Sequence, residues 1–462
     1  MHCKSHRDAA VLIAVALLLA SSLLLPLPAG LTRPGACSII LLLCAILLWV
    51  TNALPLAVTT ILCATVMPFF GILDLNSVFM RFTNSTFFFM LATFCLTIAI
   101  SSSSIPQRVS LYLMRQAGTS STKLLFFFAF GTAAFSAIMS NVPSCAIFCS
   151  LILSLMKESK ELQDNSSLLK CLMIAVTYAA VIGGFATPAG TSANILAMNL
   201  FQEATGKEIS FLQWTSVGLP VVFLMLVVCC LWLLLAFRPR PIGQETLDAV
   251  LKAQVKQEPL TSREIKILVI TCAMFVLWIA GTWFPALNTT AVALLGMCLF
   301  FCPGINVLTW KQLSEEAPWD MIFLISGSGA LAYGLSATGA DRWLVNTILP
   351  QVKDLSIPLI LLICAVITAI LHILIPSGPG TIAVALPTFL QLAPGLNDHA
   401  ILMLCALWSC VVLVMPVDAV TLVTYNTGTY NFRNLLKAGI PVYLFLLPIT
   451  ALLIYSMCGL IF

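Results

Sequence analysis

Apolar residues fill this chain in blocks close to the roughly 20 residues that a helix needs to cross bilayer hydrocarbon. Eleven segments approach that length: Ala9–Pro28, Ala36–Thr51, Leu54–Leu73, Asn84–Ile105, Leu168–Leu200, Phe211–Phe237, Ile265–Trp283, Thr289–Val307, Trp319–Thr338, Ala400–Tyr425 and Ile440–Phe462. Ala9–Pro28 follows Lys4 and Arg7 and so also reads as a signal peptide, but further spans follow at once. Two stretches, Lys123–Met156 and Ile357–Ala393, are too long for one ordinary span and are interrupted midway. The first breaks at Ser140-Asn141-Val142-Pro143, the second at Pro376-Ser377-Gly378-Pro379-Gly380. Each is either a kinked helix or a hairpin that enters and leaves by one face.

Composition agrees with spans and excludes a water-facing surface. Of 462 residues, 60% are apolar and 9% charged, against about a quarter charged in soluble domains. Mean hydropathy is +1.05. The formal charge of +4 is small and points to no nucleic-acid partner. Most of the seventeen cysteines sit inside apolar runs, where cysteine acts as a small hydrophobe. Cys145/Cys149 and Cys298/Cys302 have helical spacing, but packing explains them better than zinc.

The positions of the basic residues decide between kink and hairpin. With the N-terminus in the cytoplasm and both stretches re-entrant, only Arg33, Arg81, Lys207, Arg342 and Lys353 fall outside, and the other seventeen Lys and Arg fall inside. Making the first stretch cross would export the basic loop Arg238–Lys266, against the positive-inside tendency. The hairpin reading follows.

The chain also repeats itself. Trp49–Leu73 has a counterpart in Trp283–Leu308, the break at Ser140 in that at Ser377, Pro188 in Pro416, and Gly218-Leu219-Pro220 in Gly439-Ile440-Pro441. The offsets are about 220–240 residues, which marks a duplicated unit. Each copy holds five spans and a hairpin; five is odd, so the second copy lies upside down. The expected fold is an all-α polytopic membrane protein with two inverted-topology repeats of five transmembrane helices each. To these are added an extra N-terminal helix (about 11 spans), two re-entrant helical hairpins and two broken helices. The expected divisions are an N-terminal helix at 1–35, a first repeat at 36–237, a cytoplasmic linker at 238–264 and a second repeat at 265–462. Amphipathic pieces at Pro106–Gln116 and Asp341–Val352 suit opposite interfaces.

Inverted repeats with interrupted helices at half depth are the architecture of secondary transporters. Irregular backbone survives at that depth only where protein buries it or it lines a cavity. Here the first half supplies the tip Ser140-Asn141 and the break Gly183–Asn194; the second supplies Ser377-Gly378-Pro379-Gly380-Thr381 and Met415-Pro416-Val417-Asp418. Gly and Pro there free carbonyls that ligate a hard cation such as sodium, and half-helix N-termini favour an anion. Ser136 and Ser140, four apart on one helix face, add hydroxyls beside Asn141, although such hydroxyls also simply bond the i−4 carbonyl. Asp418, a carboxylate near the bilayer centre, fits three roles: a cation ligand, a proton carrier, or a cap on the following half-helix. His372 reads as a packed neutral residue rather than a ligand.

These motifs resemble those of the divalent anion:sodium symporters, the di- and tricarboxylate and sulfate carriers of the ion-transporter superfamily. Trp49-Val50-Thr51-Asn52-Ala53-Leu54-Pro55 is similar to the family's W-x-T-E-A-x-P signature with Asn52 for Glu. Ser140-Asn141-Val142 resembles its Ser-Asn-Thr tip, and Thr187–Asn194 its T-P-x-G-T-P-P-N break. The resemblance runs from about Trp49 to the C-terminus. It implies a homodimer in which a transport domain slides against a scaffold like an elevator. It implies a first sodium site at Ser136, Ser140, Asn141 and Gly190. Substrate would be bound through Ser140, Asn141, Val142, Thr191, Ser377, Gly378, Pro379 and Thr381, with Ser377 also at a second sodium site. Val142 lacks the Thr hydroxyl, the second tip lacks the expected Asn and Thr, and Ile373 stands where a hydroxyl is expected four before Ser377. Those departures put the second sodium site in question.

The reading is therefore a multi-pass protein of a plasma or bacterial inner membrane that moves small anions, di- or tricarboxylates, coupled to sodium and without an organic cofactor. The alternatives on the same fold are a sodium-independent dicarboxylate antiporter and a proton-coupled carrier. An intramembrane enzyme would need a nucleophile–base pair or convergent ionisable groups, and one Asp, one His and no HExxH do not supply them. A passive channel does not explain the duplicated breaks.

Overall fold

A computed structural model describes residues 2–24, 26–51, 53–83, 85–158, 165–245, 248, 259–284, 286–340, 342–343, 347, 355–375, 377–392 and 397–462. Asn52, Asn84, Pro376, most of Asp341–Val352 and residues 249–258 of the expected linker lie outside them. Among the described residues all regular structure is helical. Six helices there are long and apolar enough to cross a membrane: Leu75–Ser101, Ser166–Ala186, Phe211–Phe237, Trp319–Ala337, Ile357–Leu374 and Phe432–Ile461. Shorter apolar helices accompany them, including Ser121–Ser136, Asn141–Ser154, Gly378–Leu390 and Asp398–Trp408. The chain forms two compact units.

The first unit comprises Met1–Leu91, Ile195–Ile209 and Pro318–Ser409. The helix Trp319–Ala337 packs on Leu56–Val66 and Leu75–Phe82, around a core that includes Cys37, Leu41, Trp49, Met67, Phe82 and Leu331. Gly327 permits that approach, because a Cβ there would lie 1.9 Å from the Thr60 methyl carbon. The second interrupted stretch has a helix Ile357–Leu374 and a returning helix Gly378–Leu392 that packs on the first leg. Pro358 stands in the first turn of the first leg, where its missing N–H costs nothing.

The second unit comprises Ala92–Asn194, Ser210–Ala317 and Cys410–Phe462. At its centre lies Ser166–Gly183, capped by Asn165 and buried from Leu168 onward except at Lys170. A helix apolar all round belongs inside a bundle; this one is flanked by Ser121–Ser136, Asn141–Glu158, Phe211–Phe237 and Ala419–Tyr425. Helix starts follow capping chemistry. Ser210/Gln213, Thr261/Glu264 and Asn431/Asn434 each form a reciprocal capping box. Glu264, one residue before the apolar run from Ile265, also accepts from Ser104 N at 2.9 Å and from the Ser104 hydroxyl. Those bonds hold its carboxyl down at about 2, below the usual carboxylate range. Two prolines, Pro441 and Pro448, sit inside Phe432–Ile461, and the Trp232 indole donates to the Lys437 carbonyl at 3.1 Å.

Candidate functional site

The first interrupted stretch folds as legs Ser121–Ser136 and Asn141–Glu158 packed on each other. The first helix ends at Ser136, so Ser136 and Ser140 do not share a helix face as their spacing suggests. Turn bonds continue to Met139, whose N–H reaches Phe135 O at 2.8 Å. The Ser140 N–H then turns away from the Ser136 carbonyl and donates to Thr97 Oγ1 at 3.4 Å. Freed of that donor, the Ser136 carbonyl oxygen faces Gly190, where a Cβ would come within 2.8 Å of it.

The break in the next helix meets this tip. Ser166–Gly183 passes into a single 3-10 turn, Gly184–Ala186, and an extended Thr187; a helix resumes at Ser192. Nothing larger than hydrogen fits between break and tip. A Cβ on Gly184 would lie 2.1 Å from Asn141 Oδ1, one on Gly190 2.4 Å from Gly184 O, and one on Gly183 2.5 Å from Ala133 Cα. Asn194 braces the break by donating Nδ2 to Gly184 O at 2.9 Å and to Thr187 O at 2.8 Å. That fixes the orientation of its carboxamide and leaves Oδ1 buried without a hydrogen-bond partner. The Ser136 hydroxyl lies 2.6 Å from Ala180 O and 2.8 Å from Asn141 Oδ1. A hydroxyl has one proton, so one of those contacts sets oxygen against oxygen.

The structure thus brings Ser136, Asn141 and Gly190 together among neutral oxygens, beside Gly184 O, Ala180 O and the Asn194 side chain that braces Gly184 O. The last three were not among the expected ligands. Asn194 lay in the motif, and its orphaned oxygen is a tertiary fact that spacing does not carry. Ser140 and Val142 are half-buried at the tip, and Thr191 is half-buried beside Cys410, with Oγ1 3.8 Å from its sulfur. No group of three His, Cys, Asp or Glu among the described residues is placed to hold a metal ion. A cation here would meet uncharged oxygens only.

Asp418 lies in the same unit as a helix cap. Its Oδ1 accepts from Thr421 N at 2.8 Å and from Thr421 Oγ1 at 2.6 Å, opening the short helix Ala419–Tyr425. That helix packs on the hairpin's second leg, where the Cys145 thiol points to Val420 O at 3.7 Å. The helix before Asp418 ends at Trp408 and runs through a turn at Ser409-Cys410, earlier than the expected break at Met415. Its carbonyls find partners elsewhere: Tyr443 donates to Val411 O at 2.6 Å and Tyr178 to Leu413 O at 2.7 Å.

One contact occurs at both matched positions. A Cβ on Gly218 would fall 2.7 Å from Ala186 O and 2.8 Å from Phe185 O, and one on Gly439 2.0 Å from Leu413 O. In each case a Gly-x-Pro helix presses its glycine against carbonyls of an interrupted segment.

Ser377, Gly378, Pro379 and Thr381 lie in the first unit. Ser377 Oγ accepts from Gly380 N at 3.3 Å, and Thr381 is buried with Oγ1 3.3 Å from Ile375 O and 3.4 Å from His372 Nδ1. The Thr381 hydroxyl is therefore engaged inside its own hairpin. His372 is buried, and its Nε2 has no hydrogen-bond partner. A cavity of about 390 Å³ beside the first break, lined by Ala133, Ala137, Ala186, Pro220 and Phe223, is almost wholly apolar and unsuited to an anion.

Comparison with known proteins places this geometry. The profile of the sodium:sulfate symporter transmembrane region matches residues 6–461. A sodium-dependent dicarboxylate transporter, SdcS, of Staphylococcus saprophyticus is 26% identical over 468 residues, covering 95% of this chain and 89% of the relative. SdcS of Staphylococcus aureus is 27% identical over 440 residues, covering 88% and 83%. The crystal structure of the Alcanivorax borkumensis YdaH transporter shares the fold, with a TM-score of 0.53 and 13% identity over 82% of this chain and 86% of that one. With its helical hairpins, broken helices and a match over nearly its whole length, the chain belongs to the sodium:sulfate symporter family, the divalent anion:sodium symporters, and is a multi-pass membrane transporter, not an enzyme.

Proposed function

We propose that the protein is a secondary active carrier of small anions, di- or tricarboxylates, coupled to sodium. The observation that carries this reading is the oxygen cluster between hairpin tip and break, with the buried Asn194 Oδ1 unpartnered and no room for a side chain at Gly184 or Gly190. An alkali cation relieves the apposed oxygens of Ser136, Asn141 and Ala180 without a charged ligand, as the chemistry of hard cations allows. The start of the Asn141–Glu158 leg and that of the Ser192–Thr205 helix offer N–H groups to an anion beside it. The sodium dependence and dicarboxylate substrates of the SdcS relatives support the same assignment.

In this reading Ser136, Ser140, Asn141 and Gly190 hold the cation, Ser140, Asn141, Val142 and Thr191 are substrate residues of the second unit, and Ser377, Gly378, Pro379 and Thr381 are those of the first. Asp418 orders its half-helix as a cap. Two inverted repeats, 36–237 and 265–462, build a homodimer that works as an elevator, with the N-terminus in the cytoplasm. The matched Gly218 and Gly439 contacts support the duplication.

A second reading, anion exchange without sodium, is favoured by the second tip, where Thr381 is engaged internally and Gly378-Pro379 replaces amide and hydroxyl side chains. One experiment separates the two: uptake of labelled succinate or citrate into proteoliposomes, with sodium or choline outside and with or without counter-substrate inside. Symport is expected, with uptake that needs the inward sodium gradient and falls away in Ser136→Ala. Uptake that needs only preloaded counter-substrate would establish the exchanger instead.

A further inference from the structure

We propose that the end of the second unit where the Phe211–Phe237 helix stops is a docking surface for the headgroup of an anionic phospholipid. The residues beyond that helix are laced to three other helix ends. Ser121 Oγ donates to Pro239 O at 3.2 Å, Ile242 N to Thr119 O at 3.0 Å, Asn165 Nδ2 to Arg240 O at 3.0 Å and Lys437 Nζ to Ala236 O at 2.6 Å. This lacing gathers Lys123, Lys170, Arg238, Arg240 and Arg433 around one helix end. None of these five side chains makes an ion pair or a hydrogen bond among the described residues. Lys437 is occupied, lying over the Phe237 ring at 5.2 Å.

Depth and the adjoining surface choose the partner. A helix of 27 residues at about 1.5 Å per residue spans about 40 Å, the thickness of hydrocarbon plus headgroup layers. Arg238 therefore stands at headgroup level. Immediately below the cations the same helix exposes Leu231 and Leu235 (50% and 68%), with Phe432 beside them. Unneutralised cations above an exposed apolar face match the two ends of a phospholipid carrying net negative charge. A soluble anion has no use for the apolar half.

The test uses the full chain purified in neutral detergent and melted in choline chloride with phosphatidylglycerol, phosphatidylcholine or inorganic phosphate. Phosphatidylglycerol is expected to raise Tm and phosphatidylcholine not to. Apparent affinity should fall about fivefold per charge removed, about a hundredfold in R238Q/R240Q/R433Q, and stay unchanged in K311Q. If the triple variant fails to fold, the wild-type shift decides: raising salt from about 50 to about 500 mM shortens the screening length about threefold and should abolish it. Equal stabilisation by phosphatidylcholine, full reproduction by phosphate, an unaltered triple variant, or a shift that survives high salt would each overturn the proposal.

Discussion

Asn194 and Gly184 are bound across the first break: the Asn194 carboxamide donates to the Gly184 carbonyl at 2.9 Å while its own oxygen stays buried and unanswered. The donor half of that side chain holds the backbone open, and the acceptor half is left for something else. Removing the side chain takes a donor from two buried carbonyls; Thr187 O keeps the Gly190 N–H at 3.2 Å, while Gly184 O loses its Asn194 bond at a cost of about 1–3 kcal/mol. Asn194→Ala is therefore expected to lower Tm and to lose the extra stability that sodium, but not choline, confers on the wild type. A sodium shift of wild-type size in the variant would remove Asn194 from the cation site.

The glycines of the first break should be irreplaceable for steric reasons. Gly184→Ala and Gly190→Ala each place a carbon within 2.1–2.4 Å of an oxygen and should cost more than about 2 kcal/mol, with loss of sodium-dependent uptake. Gly459, with nothing within 4 Å of its would-be Cβ, is the control. There Ala should be neutral or gain up to about 1 kcal/mol. Thermal melts of the three variants give the comparison.

Asp418 caps the helix Ala419–Tyr425 through one oxygen, a job that a carboxamide oxygen also performs. Asp418→Asn should keep sodium-stimulated uptake within about threefold, whereas Asp418→Ala should lose about 1 kcal/mol of stability. Complete loss of sodium stimulation in the Asn variant would make the charge itself the working element.

Glu264 ties the start of its helix to Ser104, and its folded-state pKa is lowered to about 2. A carboxyl with a depressed pKa contributes stability that is present above the unfolded value, about 4.3, and disappears as pH falls toward 2. The wild-type Tm should drop through that window, and Glu264→Gln should drop less steeply. Parallel curves from pH 6 to 3 would show that the carboxylate is unimportant there.

Much of this fold was legible because glycine, proline and asparagine punctuate it. The breaks after Gly183 and before Asn141 stand where the breaker residues are, and the capping boxes at Ser210, Thr261 and Asn431 stand where their side chains announce them. The early end of the helix at Trp408 was not legible. Residues 409–414 read Ser-Cys-Val-Val-Leu-Val, with nothing local to stop a helix. The carbonyls of Val411 and Leu413 are served instead from far along the chain, by the hydroxyls of Tyr443 and Tyr178. For the same reason the spacing of Ser136 and Ser140 suggested a shared face: periodicity carries no sign that the Ser140 amide goes to Thr97 instead. At the candidate site, residue type singled out Ser136 and Asn141 and the family resemblance added Gly190, while the neighbouring Gly184 and Ala180 carbonyls and the brace from Asn194 emerge only from the crossing of two elements.

The bond from Trp232 to Lys437 has a wider meaning. A proline at 441 has no amide hydrogen to offer the carbonyl four positions earlier, so Lys437 O lacks its helical donor. The Trp232 indole takes that place from a neighbouring helix, splinting the weak point of one long rod with a side chain of another. Bending at Pro441 is thereby yoked to the Phe211–Phe237 rod, and neither can flex there without giving up that bond.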